Sequence, residues 1–178
     1  MVDTAKSLLT QCAAEIMSHY VIMIPREMTL QGAARMLARA GVTGAPVVDE
    51  NGRCIGVLSA TDFMHWMKEE HTGKRRSASG EVLCTSWQIP EDVGELTGTV
   101  DGCMTKDPVL AHPNVKIGEL ARMMMDAHVH RVIVVDRNSQ RPIGVVSSMD
   151  ILAAVARAEQ ARPPAVHMPS SSHEETVH

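Results

Sequence analysis

Apolar positions along the chain follow two periods, and the order in which the periods alternate occurs twice. Short apolar runs at residues 21–24 and 109–111, with Pro25 and Pro113 close behind them, predict buried strands that end at turns. Downstream of each, Leu30, Ala33, Ala34 and Leu37, and then Ile117, Leu120, Met124 and Ala127, fall at helical spacing. They predict helices over residues 29–40 and 115–128, each turning one apolar face to a sheet. The stretch PVVDENGRCIGVL follows as a hairpin signal around Asn51 and Gly52, and its counterpart IVVDRNSQRPIGVV has a longer turn. Each half closes with a helix that opens at Ser59 or Ser147 and runs to about Glu70 or Glu159.

This recurrence is an internal repeat. At an offset of 87, Ala34/Ala121, Arg35/Arg122, Met36/Met123, Val47/Val134, Val48/Val135, Asp49/Asp136 and Asn51/Asn138 are identical. After one inserted residue the identities resume at 88, with Ile55/Ile143, Gly56/Gly144, Val57/Val145, Ser59/Ser147 and Asp62/Asp150. The chain therefore divides into an N-terminal helical segment (1–16), a first repeat (17–70), a linker (71–103), a second repeat (104–160) and a tail (161–178). Leu8, Leu9 and Ala13 mark the apolar face of the N-terminal segment. The linker is polar and carries Lys74, Arg75 and Arg76, and the tail, rich in Pro, Ser and His, is expected to be disordered.

Composition narrows the function. In 178 residues, 44% are apolar and 21% charged, enough for a buried core. A net charge of −4 leaves no basic excess for a nucleic-acid backbone. The apolar runs are far shorter than the roughly 20 residues of a membrane span, and the first residues lack the pattern of a secretory signal, so a cytoplasmic protein is expected. Cys12, Cys54, Cys84 and Cys103 form no close pair that would signal zinc or a disulfide framework. With 13 Met and only four aromatic residues, aliphatic and thioether groups must fill the core.

Chemistry concentrates where a strand feeds a helix. Gly56, Ser59 and Asp62 recur as Gly144, Ser147 and Asp150. A glycine admits a ligand to the backbone, a serine and free helix N–H groups donate to phosphate, and a carboxylate accepts from two ribose hydroxyls. The same Ser-x-x-Asp also approximates a capping box worth about 1 kcal/mol, and both readings stay open. His128 and His130 share a strand face without a third metal ligand nearby, and the Met123–Met125 run is read as packing, with Met125 at a possible subunit contact.

Together with Gly44, Pro46 and Asp49 in the first unit and His130, Arg131 and Asp136 in the second, these motifs resemble CBS domains, the paired repeats of a Bateman module, over about residues 13–158. The resemblance implies a mixed α/β (α+β) fold of two pseudo-twofold-related β-α-β-β-α repeats packed through their sheets, with two clefts for adenine nucleotides and a homodimer. By position it implies one cleft in which Asp150 takes the ribose and Ser147, Arg131 and His130 the phosphates, with Tyr20, Ile22, Val42, Thr43 and Gly44 around the adenine. Its mate would use Asp62 and Ser59, with Pro108, Leu110, Val129 and His130 near the base. Where the second unit has His130 and Arg131 the first has Thr43 and Gly44, so the Asp150 cleft is expected to be the tighter.

The implied function is a regulatory, ligand-sensing module for an AMP, ADP, ATP or NAD type nucleotide that acts on a partner or on its own assembly. The competing reading is a structural dimerisation module without a physiological nucleotide. An enzyme is not expected, since no nucleophile with an adjacent base and no convergent metal set can be found. Phe63, Trp66 and Met67 on one closing helix, and Ile151, Leu152 and Val155 on the other, are the expected dimer surface.

Overall fold

Two sheets, each backed by helices, account for the residues that the computed structural model describes, 8–71 and 98–160, side chains of 68–71 excepted. A 3-10 turn at Leu8–Thr10 and helix α1 (Ala13–Ile16) come first, followed by β1 (Ile24–Pro25), α2 (Leu30–Ala40), β2 (Gly44–Val48), β3 (Cys54–Ser59) and α3 (Ala60–His71). The second half contains α4 (Val100–Cys103), β4 (Thr105–Lys106), β5 (Leu110–Ala111), α5 (Ile117–Asp126), β6 (Arg131–Val135), β7 (Pro142–Ser147) and α6 (Ser148–Gln160). The expected strand at 21–24 is ordered as a strand only from Ile24.

The helices form where the apolar stripe predicts them. Thr29 caps α2, accepting from the Gly32 amide at 3.1 Å, and Leu30, Ala33, Ala34 and Leu37 are buried beneath it. Ile117, Leu120 and Met124 do the same for α5. In the first sheet β1 runs parallel to β2 and β2 antiparallel to β3, while the second repeats this with β5, β6 and β7. Each hairpin carries one irregularity, at Val47/Val48 and at Val134/Val135. Asp49 and Asp136 staple the two hairpin loops, accepting backbone amides of Asn51 and Arg53 and of Asn138 and Ser139. Donation from Ser139 holds the Asp136 carboxyl below the usual carboxylate range.

The halves exchange their leading segments. Val100 is fully buried in the first repeat's core, with Leu30, Leu37 and Leu58, and Ala13 is fully buried in the second's, with Leu120, Val132 and Val146. The strand β4 pairs with β3, Thr105 opposite Val57, and Ser18 makes the matching antiparallel bridge to Val145. The backbone bonds repeat the symmetry: Val100 N donates to Met28 O and Ala13 N to Val115 O, both at 2.9 Å.

Three expectations change here. The N-terminal segment is not one helix, because its backbone breaks at Cys12 to bridge Lys116. Of the expected linker, Val100–Cys103 form α4, and its Val100 and Cys103 pack into the first repeat's core. Phe63 is 3% exposed, with Trp66 and Met67 packed against the same core, because the closing helix α3 turns that side inward. Leu152 and Val155 of the expected surface are exposed, with Met64 and Met149 beside them on the closing helices, whereas Ile151 packs against the second core. The remaining linker (72–97) and the tail (161–178) lie outside the described residues. No helix of the described chain is long and apolar enough to cross a membrane.

Candidate functional site

The Ser-x-x-Asp corners sit at the seam between the two sheets. At each, the carboxylate folds back on its own helix start: Asp62 Oδ2 accepts from Ser59 N and Oγ, both at 2.7 Å, and Asp150 Oδ2 from Ser147 N at 2.7 Å and Oγ at 2.6 Å. The cap is thus made, and it occupies one oxygen of each carboxylate. The second oxygen distinguishes the corners. Thr105 Oγ1 donates to Asp62 Oδ1 at 2.8 Å, whereas among the described residues nothing donates to Asp150 Oδ1.

Both corners open into cavities shared between the repeats. The Asp150 cavity, about 290 Å³, is lined by Tyr20, Ile22, Val42, Gly44, Arg131, Ser147 and Asp150 from the expected set, together with Ser18, Val21, Ala45, Pro46 and Val145. Thr43 is not among the lining residues and accepts from Arg131 Nη1 at 2.9 Å. His130 is not among the lining residues of this cavity. His130 precedes β6 and lines the Asp62 cavity and a groove along α5 and α6 instead.

The Asp62 cavity, about 320 Å³, gathers Ser59, Asp62, Pro108, Val129 and His130 as expected. Leu110 is not among its lining residues. Its place is taken by Val109, and Asp107 joins it, because the pseudo-equivalent positions of Tyr20 and Ile22 are reached at the offset of 87 and not 88. Arg131 lines this cavity as well, so the expected contrast between a cleft with arginine and a cleft without it does not hold. Val57, Thr61, Thr105 and Ile133 also line it, and Gly44, Ala45, Pro46 and Val145 line both cavities. The hydroxyl positions Ser18 and Thr105 were missed; their one sequence signal is the identical pair Met17/Met104 just before them. Both volumes fall near the lower end of small-molecule sites, roughly 300–1,000 Å³.

Among the described residues no three His, Cys, Asp or Glu side chains are arranged to hold a metal ion. Cys54, on β3, lines neither cavity, and burial pushes its thiol up to about 11.

Two half-sites of this construction, facing across a pseudo-twofold seam, define a tandem-repeat module with paired interdomain clefts. The chain belongs to the CBS domain family, whose model matches residues 13–69 and 93–157. Among solved structures, the CBS domain pair of protein MJ0100 in complex with 5-methylthioadenosine and S-adenosyl-L-methionine aligns with a TM-score of 0.64 at 20% identity, covering 83% of this chain and 98% of that one. CBSX2 in complex with AMP aligns with a TM-score of 0.61 at 19% identity, covering 83% and 98%. A curated relative, the L-aspartate semialdehyde sulfurtransferase of Methanocaldococcus jannaschii, is 24% identical over 137 residues, which are 77% of this chain and 22% of that protein. The chain thus spans less than a quarter of the length of that relative.

Proposed function

We propose that the chain is a regulatory, ligand-sensing module that binds an adenosine-containing nucleotide, of the AMP, ADP, ATP or NAD type, in the clefts between its CBS repeats and modulates a partner or its own assembly. The observation that carries this reading is the Asp150 cavity. A carboxylate oxygen left without a donor among the described residues and a serine hydroxyl from one repeat face Tyr20, Ile22 and Val42 of the other, with a guanidinium on the wall between. In this reading Asp150 takes the ribose, Ser147 and Arg131 the phosphate, and Tyr20, Ile22, Val42 and Gly44 surround the base, with Thr43 positioning the arginine. In the mate, Asp62 and Ser59 serve the sugar side, Pro108, Val109 and Val129 the base, and His130 with Arg131 the anion. Support comes also from the ligands of the two similar structures, which share an adenosine.

The Asp150 cleft is the tighter of the two. Its carboxylate keeps an oxygen for the ribose, whereas Asp62 gives both oxygens to the protein and shares its cavity with a second acid, Asp107. Thermal melts of the full chain with adenosine, AMP, ATP, NAD and S-adenosylmethionine test the reading. A true ligand stabilises by mass action, about 2.7 kcal/mol at 100 times its Kd, and Asp150→Asn, which keeps a cap acceptor, weakens binding about tenfold.

A second reading, a structural dimerisation module, is favoured by the caps themselves and by the exposed Met125, Met149, Leu152 and Val155. Under it millimolar ligand leaves every melt unmoved.

A further inference from the structure

We infer that Arg131 is a single anion anchor shared by both clefts, so that a phosphate bound in one weakens the binding of a phosphate in the other; this rests on the nucleotide-sensing reading above. Arg131 opens β6 at the seam and lines the Asp150 and the Asp62 cavities alike. Among the described residues it is the only lysine or arginine lining either. The pseudo-symmetric position that would furnish a second cation is Gly44. A Cβ there would lie 3.0 Å from the Leu58 carbonyl oxygen and 3.2 Å from Ser59 Cα, tighter than ordinary contact, and the glycine supplies no cation on that side of the seam.

One guanidinium brings one positive charge and one planar fork that fits a single phosphate face. Its Nη1 donates to Thr43 Oγ1 at 2.9 Å, a bond that positions the group on the wall both cavities share. When a phosphate in the Asp150 cleft takes the fork, a second phosphate arriving from the other side meets an already neutralised cation. It also meets Asp62 and Asp107 on its own side, with His130 as the other basic group present. Coupling of this kind is reciprocal by thermodynamic necessity. It belongs to the phosphate alone, because a neutral nucleoside does not draw on the guanidinium charge.

Calorimetric titration of the full chain with adenosine and with AMP, at low ionic strength, reads this directly. Adenosine fills two sites without a gap beyond their intrinsic difference, while the second AMP binds about 10- to 100-fold more weakly than the first, the range of a charge-assisted hydrogen bond. Arg131→Ala, at an exposed position, weakens the first AMP toward the affinity of adenosine and narrows the gap to what Asp62 and Asp107 impose on a phosphate. Two equal AMP sites in the native chain, the same gap with adenosine, or a gap undiminished in Arg131→Ala overturns the shared anchor and leaves the nucleotide reading standing. No binding of either probe overturns both.

Discussion

Position 56 illustrates how one residue can be read correctly and for the wrong reason. Gly56 and Gly144 open the duplicated motif, and the sequence suggests that a ligand needs the space. The space is filled by the chain itself: a Cβ on Gly56 would lie 2.7 Å from Met104 Sδ and 2.9 Å from the Thr105 carbonyl oxygen, and one on Gly144 would strike Met17. Gly56→Ala therefore destabilises by about 1–3 kcal/mol, the usual cost of overpacking, and urea unfolding measures it. A loss below a few tenths of a kcal/mol would mean that the backbone of β4 yields freely. A second pair, Gly41 and His128, ends α2 and α5 with left-handed backbone at φ of 65° and 54°. The glycine suits that region and the histidine does not, so His128→Gly stabilises by about 1 kcal/mol. A lower melting temperature in that variant would show that the imidazole contributes more than its backbone costs. The candidate carboxylates and serines were legible because they are duplicated, as Asp62/Asp150 and Ser59/Ser147, whereas Arg131 stands opposite Gly44 and was placed by resemblance alone. The placement of Leu110 was not legible, since a one-residue choice of offset exchanges it for Val109, and the sequence did not tell that His130 serves one cleft and not both.

Among the elements, those with a period were legible and those without one were not. The helices α2 and α5 have 11 and 10 residues, long enough for the apolar stripe to declare itself. The helices α1 and α4 have four residues each, barely one turn, and between residues 11–18 and 98–105 the identity is confined to Met17/Met104. Their burial is decided by the opposite half of the chain, which no local window can see. Val100 nonetheless loses all its exposure in the first repeat's core. Val100→Ala is expected to cost about 2 kcal/mol from lost burial and the cavity left behind. The loss appears as a lower denaturation midpoint, and an unchanged midpoint would mean that α4 only rests on the surface.

At the scale of the molecule, the exchanged segments tie the two repeats into one folding unit. Neither core is complete without residues from the other half: Ala13 and Met17 pack with the second, and Val100, Cys103 and Met104 with the first. Removing residues 1–18 should accordingly lower hydrogen-exchange protection in β5, β6 and β7 before β1, β2 and β3, although the deletion lies beside the latter in sequence. Greater loss in the first sheet would refute the exchange. The doubled architecture itself was plain from the 87-residue recurrence; the crossing of its arms was not, because periodicity reports which residues are alike and not which of them touch.

That crossing also bears on how such a chain could come to exist. A solitary unit of this design would possess an arm whose only seat is on another molecule, and so would be half-built except as a pair. Joining two units in one polypeptide replaces that concentration-dependent encounter with a tethered one, at effective concentrations on the order of millimolar. The tandem is in this sense a dimer made permanent, with halves free to differ, as they do where Arg131 of one repeat stands at the position that Gly44 holds in the other.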